Sequence, residues 1–199
     1  MVKDWEKDLP PIARQRLARI GELSQEEKDR MIDSEKATSL LAEFYQGRID
    51  SEGLWKKLKQ EGRPSLLREA QIRLVDSLSF EGAPSDLQRR KEAILAIEAL
   101  KKEQNTSAME SNLNLLEKLQ KRYKAEIEQA YSELKAEVER NPRLRLKQVQ
   151  QGQNTMVVQL TVDEAIKQFP QWQDFLSNQE KRYRQEFAKV IDRLRRELR

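Results

Sequence analysis

The sequence predicts an all-α, mainly helical protein. A bundle of short helices is expected over residues 1–106. Over residues 107–199 a long antiparallel helical hairpin, or coiled coil, is expected to carry a small β-hairpin at its tip, at about 143–161. Three observations predict this. Apolar residues make up 37% of the 199 and charged residues 36%, with a mean hydropathy of −0.89. The core must therefore be thin, as it is where one apolar stripe per helix suffices. Apolar residues also recur at helical spacing, between Ser, Asp, Pro and Gly residues suited to helix ends, and this placement argues against disorder. Finally, the chain echoes itself sixty positions apart. Lys121-Arg122-Tyr123 with Glu126, Ile127, Leu134 and Glu137 returns as Lys181-Arg182-Tyr183 with Glu186, Phe187, Leu194 and Glu197. The echo is either a duplication or a shared coiled-coil pattern.

Leu9-Pro10-Pro11-Ile12 opens a first short helix that Gly21 closes, because proline suits the first turn and glycine the left-handed position after the last. Ser24 and Glu27 form a capping-box pattern for a helix to about Gln46, with Met31, Ala37, Leu40, Leu41, Phe44 and Tyr45 as its apolar positions and Gly47 as its stop. Asp50 or Ser51 caps the next helix, which carries Leu54, Trp55 and Leu58 and ends at Gly62. The run from Leu40 to Glu52 is similar to the short helix-glycine-helix hairpins found as appendages on other proteins, and that likeness implies an αα-hairpin and no activity. Pro64 starts a helix with Leu66, Leu67, Ala70, Leu74 and Leu78, ended by Gly82. Pro84, Ser85 and Gln88 mark another, with Leu87, Ile94, Ile97 and Leu100 as its stripe.

Asn105-Thr106-Ser107 is the best internal break. From about Ala108 to Arg140, Met109, Leu116, Tyr123 and Ala130 keep one heptad register and Leu113, Gln120, Ile127 and Leu134 the other, as a coiled coil requires. Asn141-Pro142 ends that helix. Arg143-Leu144-Arg145-Leu146-Lys147 alternates apolar and basic residues, and Thr155–Thr161 is rich in β-branched types, so both read as strands around a Gln150–Asn154 turn. Thr161 and Glu164 repeat the capping box before a short helix that Phe169-Pro170 interrupts. A last helix runs from about Trp172 to Leu198, on Leu176, Tyr183, Phe187, Val190, Ile191, Leu194 and Leu198.

Histidine and cysteine are both absent, which excludes thiol nucleophiles, disulfides, imidazole bases and Cys/His metal sites. Carboxylate chemistry remains, but Glu126, Glu133, Glu137, Asp163 and Glu164 lack loop-ligand spacing and read as ion-pair decoration among lysines. The six glycines stand singly, so no phosphate loop is expected. No cofactor, metal or small-molecule substrate is expected. The segment Met1–Asp8 has no apolar leader, no run approaches a membrane span, and cysteine is missing, so the expectation is a soluble cytoplasmic protein.

The net charge of +4 is uneven. Residues 1–106 hold 20 basic and 20 acidic side chains, and residues 107–199 hold 18 and 14. Two function classes follow. The preferred expectation is a non-enzymatic protein-interaction module (an adaptor, assembly factor or complex subunit) that self-associates or binds a protein partner. Leu115, Leu119 and Val138 widen the stripe of the first long helix, and Leu144 and Leu146 form an apolar face on the tip, so these five are the interface candidates. Arg143, Arg145 and Lys147 would share the opposite face of that strand. A helical hairpin with a β tip resembles in shape the plan of prefoldin-type chaperones and of coiled-coil arms. The alternative is a nucleic-acid-binding module, with Lys121, Arg122, Tyr123, Lys181, Arg182 and Tyr183, together with Arg143, Arg145 and Lys147, as polyanion contacts. In that reading the two tyrosines stand at different heights along the hairpin.

Overall fold

The computed structural model describes residues 24–151 and 154–198. Trp5, the expected helix from Leu9 to Gly21 and residues Gly152 and Gln153 of the expected Gln150–Asn154 turn lie outside the described residues. Within them the chain is mainly helical with one two-stranded antiparallel sheet. It divides at Gln71/Ile72 into two compact units, and the break expected at 106/107 falls inside the second, in the first turn of a long helix.

The first unit holds α1 (Gln25–Tyr45), α2 (Ser51–Glu61) and the start of α3 (Pro64–Asp76). The capping box forms as expected: Ser24 Oγ accepts from Glu27 N–H, and Ser24 N–H donates to the Glu27 carboxylate. At the other end Gly47 N–H reaches the Phe44 carbonyl (3.0 Å) and Arg48 N–H the Glu43 carbonyl (2.9 Å). That pair of bonds needs a left-handed residue at Gly47, whose φ is +74°. Asp50 caps α2 by accepting from Gly53 N–H at 2.7 Å. Ala37, Leu40, Leu41 and Phe44 of α1 are buried, as are Leu54 and Leu58 of α2.

Met31 and Tyr45, expected on this apolar stripe, are instead exposed. The 11-residue α2 reaches only ~16 Å along an α1 of ~31 Å, so it cannot cover the early turns that hold Met31. Tyr45 follows Phe44 by one residue, so it points about 100° away from the buried ring. Asp33 is buried too; it accepts from Ser65 Oγ and pairs with Arg63, tying α1 to the start of α3.

The second unit completes α3 and adds α4 (Pro84–Glu98), α5 (Thr106–Arg140), a 3-10 turn (Pro142–Arg145), β1 (Leu146–Gln151), β2 (Asn154–Gln159), α6 (Val162–Gln168) and α7 (Pro170–Glu197). Pro170 occupies the first turn of α7, two residues ahead of the expected start, where its missing N–H costs nothing. Helices α5 and α7 run antiparallel. Asn105, just before α5, donates to Glu197 at the end of α7. Further along, Arg182 and Tyr183 bind Glu126 at 2.7 and 2.6 Å.

Helix α4 lies against α5, with Lys91 Nζ bound to Asn114 (2.6 Å) and Glu117 (3.3 Å). The buried Glu98 carboxylate accepts Asn105 N–H at 2.7 Å while it pairs with Lys101 at 2.8 Å, so a group from α4 satisfies a donor at the mouth of α5. At the far end of α5, Val138, Ala165, Ile166 and Trp172 form a core on which Leu134, Leu144, Leu160, Phe169 and Phe175 pack.

Candidate interaction site

The β-hairpin springs from that far core. Asn141-Pro142 stops α5, and Pro142–Arg145 folds as a 3-10 turn rather than as strand. The strand therefore begins at Leu146, three residues later than the alternation of Arg143–Lys147 suggests. Proline at the first position and its effect on Asn141 favour a turn over an extended start. Arg143, Arg145 and Lys147 consequently do not share one strand face. Arg143 and Lys147 are exposed, whereas Arg145 is half-buried with its Nε out of solvent. Leu144 is half-buried against the Val138 core, and Leu146 is exposed.

The two strands pair in the register Leu146↔Gln159, Lys147↔Val158, Gln148↔Val157, Val149↔Met156 and Gln150↔Thr155. Leu160 N–H donates to the Arg145 carbonyl at 2.8 Å, so Arg145 and Leu160 form a hydrogen-bonded pair. Antiparallel pairs alternate between bonded and non-bonded, which makes Lys147/Val158 and Val149/Met156 the next bonded pairs. Thr155, Val157 and Gln159 therefore turn their backbone N–H and C=O to the outer edge of β2. Among the described residues no third strand meets either edge. Leu146, Val149, Met156, Val157 and Val158 are all exposed, from 39% at Val149 to 60% at Val157. The tip offers apolar side chains on both faces and two open edges.

The remaining candidates lie elsewhere in the second unit. Leu119 and Val138 are buried and Leu115 is half-buried, so they do not form the exposed strip expected of them. Helix α6 covers Val138, and α4 lies along the stretch of α5 that holds Leu119. The width of the stripe thus serves neighbours within the chain. Tyr123 and Tyr183 do not stand at different heights: their rings meet edge to face at 5.5 Å. Phe80 lies 5.0 Å from Tyr123 and stacks on Tyr183 at 6.3 Å, and Tyr183 is buried. Burial raises the pKa of both hydroxyls, helped at Tyr183 by its bond to Glu126.

Around these rings two of the four motif cations are engaged. Lys121 pairs with Glu117 at 2.6 Å, and Arg182 pairs with Glu126 while lying 4.7 Å over the Tyr183 ring. Lys181 and Arg122 are exposed beside them. Four of the five carboxylates considered as ligands, Glu126, Glu133, Asp163 and Glu164, also have hydrogen-bond partners. The Tyr183 hydroxyl foremost, then Arg182, holds Glu126 below the usual carboxylate range; Glu164 caps α6; Asp163 accepts from Tyr131. Sequence reasoning missed Gln120 as a fastener: its Nε2 donates to the carbonyls of Ser79 (3.2 Å), Phe80 (2.9 Å) and Gly82 (3.3 Å). A polar residue recurring at a core-facing heptad position was the only signal for it.

Among the described residues no helix is long and apolar enough to cross a membrane, and no group of three or more Asp or Glu gathers as a metal cage. Residues 52–199 match the model of a family of unknown function (DUF6657). No curated protein and no solved structure matches the chain.

Proposed function

As the chain belongs to the DUF6657 family, we propose from the geometry of its tip that it is a non-enzymatic helical protein-interaction module: an adaptor, assembly factor or complex subunit. In this reading α5 and α7 form a long antiparallel coiled-coil arm that presents the β-hairpin to another polypeptide. The observation that carries it is the hairpin itself, with five large apolar side chains exposed on two strands that nothing covers among the described residues. An apolar surface of this kind, held at the end of paired helices, is characteristic of contact sites, and open strand edges add main-chain bonding to the contact. The lack of cysteine is consistent with action in the cytoplasm.

The test is a photo-crosslinking amino acid at Met156, in the full chain expressed in its own cells. A covalent adduct with a polypeptide, formed in the presence of nuclease and absent when the crosslinker stands on the exposed Arg193, is the expected result. No adduct at Met156 would overturn the reading. A nucleic-acid function would instead show binding that falls steeply with salt, because neutralised phosphates release counterions.

A further inference from the structure

We infer that the outer edge of β2 is a self-pairing edge: it joins β2 of a second copy of this chain, antiparallel and centred on Val157, to make one four-stranded sheet in the order β1-β2-β2-β1. This rests on the reading of the hairpin as a contact surface and names its occupant.

The first argument is charge. The 14 residues from Leu146 to Gln159 carry a single charge, Lys147, in a chain that is 36% charged. Edge strands that must stay single are blunted by lysines, prolines or inward charges. The β1 edge has such protection, since Lys147 lies on it and Arg143 and Arg145 precede it. The β2 edge has none: from Asn154 to Val162 there is no charge and no proline. An acidic peptide or a polyanion would find nothing to pair with there. A neutral strand bearing apolar and amide side chains matches it, and β2 is such a strand.

The second argument is geometric. A two-fold axis relating two antiparallel edge strands stands perpendicular to the sheet, so each face continues onto the same face of the copy. Residues directly opposite one another must then have numbers of the same parity. The outward-facing backbone groups belong to Thr155, Val157 and Gln159, as the Leu160–Arg145 bond requires. The pairing that joins them puts Val157 opposite the second copy's Val157, Thr155 opposite its Gln159, and Met156 opposite its Val158. On one face the two Val157 side chains meet between the two Leu146 side chains. On the other, Val149, Met156 and Val158 continue into the same three of the copy. The two lysines at position 147 stand on the outer strands, three strand spacings or ~14 Å apart, beyond a Debye length at physiological salt.

The third argument is stability. A two-stranded hairpin is marginal alone, and three or more strands with an apolar face are needed for independent stability. Pairing through β2 supplies four. Val157, at the centre of the pairing, is the most exposed of the hairpin's large apolar residues.

The experiment uses the full chain. Sedimentation velocity at high micromolar concentration should show a dimer. Val157→Lys, which sets two ammonium groups against each other at the axis, should raise the dimer dissociation constant by at least about tenfold and leave the helical circular dichroism unchanged. Because the chain has no cysteine, Val157→Cys introduces the only thiol. Opposed bonded residues have Cα atoms ~5.5 Å apart, within disulfide range, so mild oxidation should convert the variant to a covalent dimer. Thr155→Cys should not crosslink, because the axis holds the two positions 155 four residues, or ~14 Å, apart. A monomeric parent, a Val157→Lys variant that dimerises like the parent, or a Thr155→Cys variant that crosslinks as readily as Val157→Cys would overturn the inference. If the purified chain is monomeric while the crosslinker at Met156 still captures a polypeptide of different mass, self-pairing falls and the interaction reading stands. If the crosslinker captures nothing, that reading falls as well.

Discussion

Tyr123 and Tyr183, sixty positions apart, meet edge to face with their ring centroids 5.5 Å apart. Tyr123 lies 29 residues before Gly152 and Tyr183 lies 30 after Gln153, so the packing of α5 against α7 brings together the starts of the two copies, which from there run in opposite directions. Phe80 and Phe187 complete the cluster, 5.8 Å apart. The repeated Lys-Arg-Tyr motif is thereby a packing device, in which the rings meet each other and one cation of each copy, Lys121 and Arg182, binds a neighbouring carboxylate.

The Tyr183–Glu126 bond predicts a pH window. Glu126 is held below its ordinary range, first by the Tyr183 hydroxyl and then by Arg182. Its stabilisation is complete above the unfolded carboxylate pKa of ~4.3 and is lost as pH falls through the folded value. Tyr183 is raised, first by burial and then by Glu126. Its stabilisation is complete below the unfolded value of ~10 and is lost as pH rises through the folded one. Urea melts across pH should therefore show a neutral plateau, with a shallower acid limb in Glu126→Gln. The neutral-pH cost of that variant should stay below about 1 kcal/mol, because the Glu126 and Arg182 side chains are 40% and 50% exposed. An acid limb identical to the parent's would refute the assignment.

Leu194 is fully buried on α7, whereas Leu134, its counterpart in the echo, is half-buried against the core at the hairpin end. Leu194→Ala should cost ~2 to 5 kcal/mol and Leu134→Ala less. Denaturant midpoints at constant m-value measure the order, and equal midpoints would contradict it.

Gln120→Met keeps the volume of the side chain but removes the donor to Ser79, Phe80 and Gly82. The expected loss is ~1 to 3 kcal/mol, with a change in near-ultraviolet circular dichroism as Phe80 shifts against the tyrosines. A variant as stable as the parent would show that those carbonyls are satisfied without it.

Gly47→Ala meets no atom within 4 Å, so any effect comes from its φ of +74° alone. A cost of about 1 to 2 kcal/mol is expected, and a smaller one for Gly47→Asn, since asparagine tolerates the left-handed region better. Thermal melts of the two variants test the ranking.

Local signals in the sequence are faithful at most of the described helix ends, but the Pro64 helix stops at Asp76 and does not run on to Gly82. Ser24, Asp50 and Thr161 cap helices as read, Gly47 and Gly62 end them, and Pro142 stops α5. The β-hairpin was legible from its β-branched run. Its start was not, because Arg143–Lys147 alternates with a strand's period while the backbone there answers to Pro142. Pairings between distant segments were also hidden. Val138 looks like a spare apolar residue until α6 is seen to cover it, and Asp33, Glu98 and Gln120 look like surface residues until their partners from other segments arrive. Nothing in the sequence says whether the apolar hairpin faces fold back onto the helices; the exposures of Leu146, Met156 and Val157 decide it.

The order in which α5 finds its neighbours has a kinetic consequence. The Tyr131–Asp163 contact closes 32 residues of chain, Tyr183–Glu126 closes 57, and Asn105–Glu197 closes 92. Closing the longest loop first would cost about 1 kcal/mol more than closing the shortest, which favours contacts near the hairpin forming before those near Asn105 and Glu197. On that order the hairpin is expected early, with its neutral edge open while the far turns are still unpaired. Refolding yield should accordingly fall with protein concentration, because early intermediates meet through β2 before each chain has closed on itself.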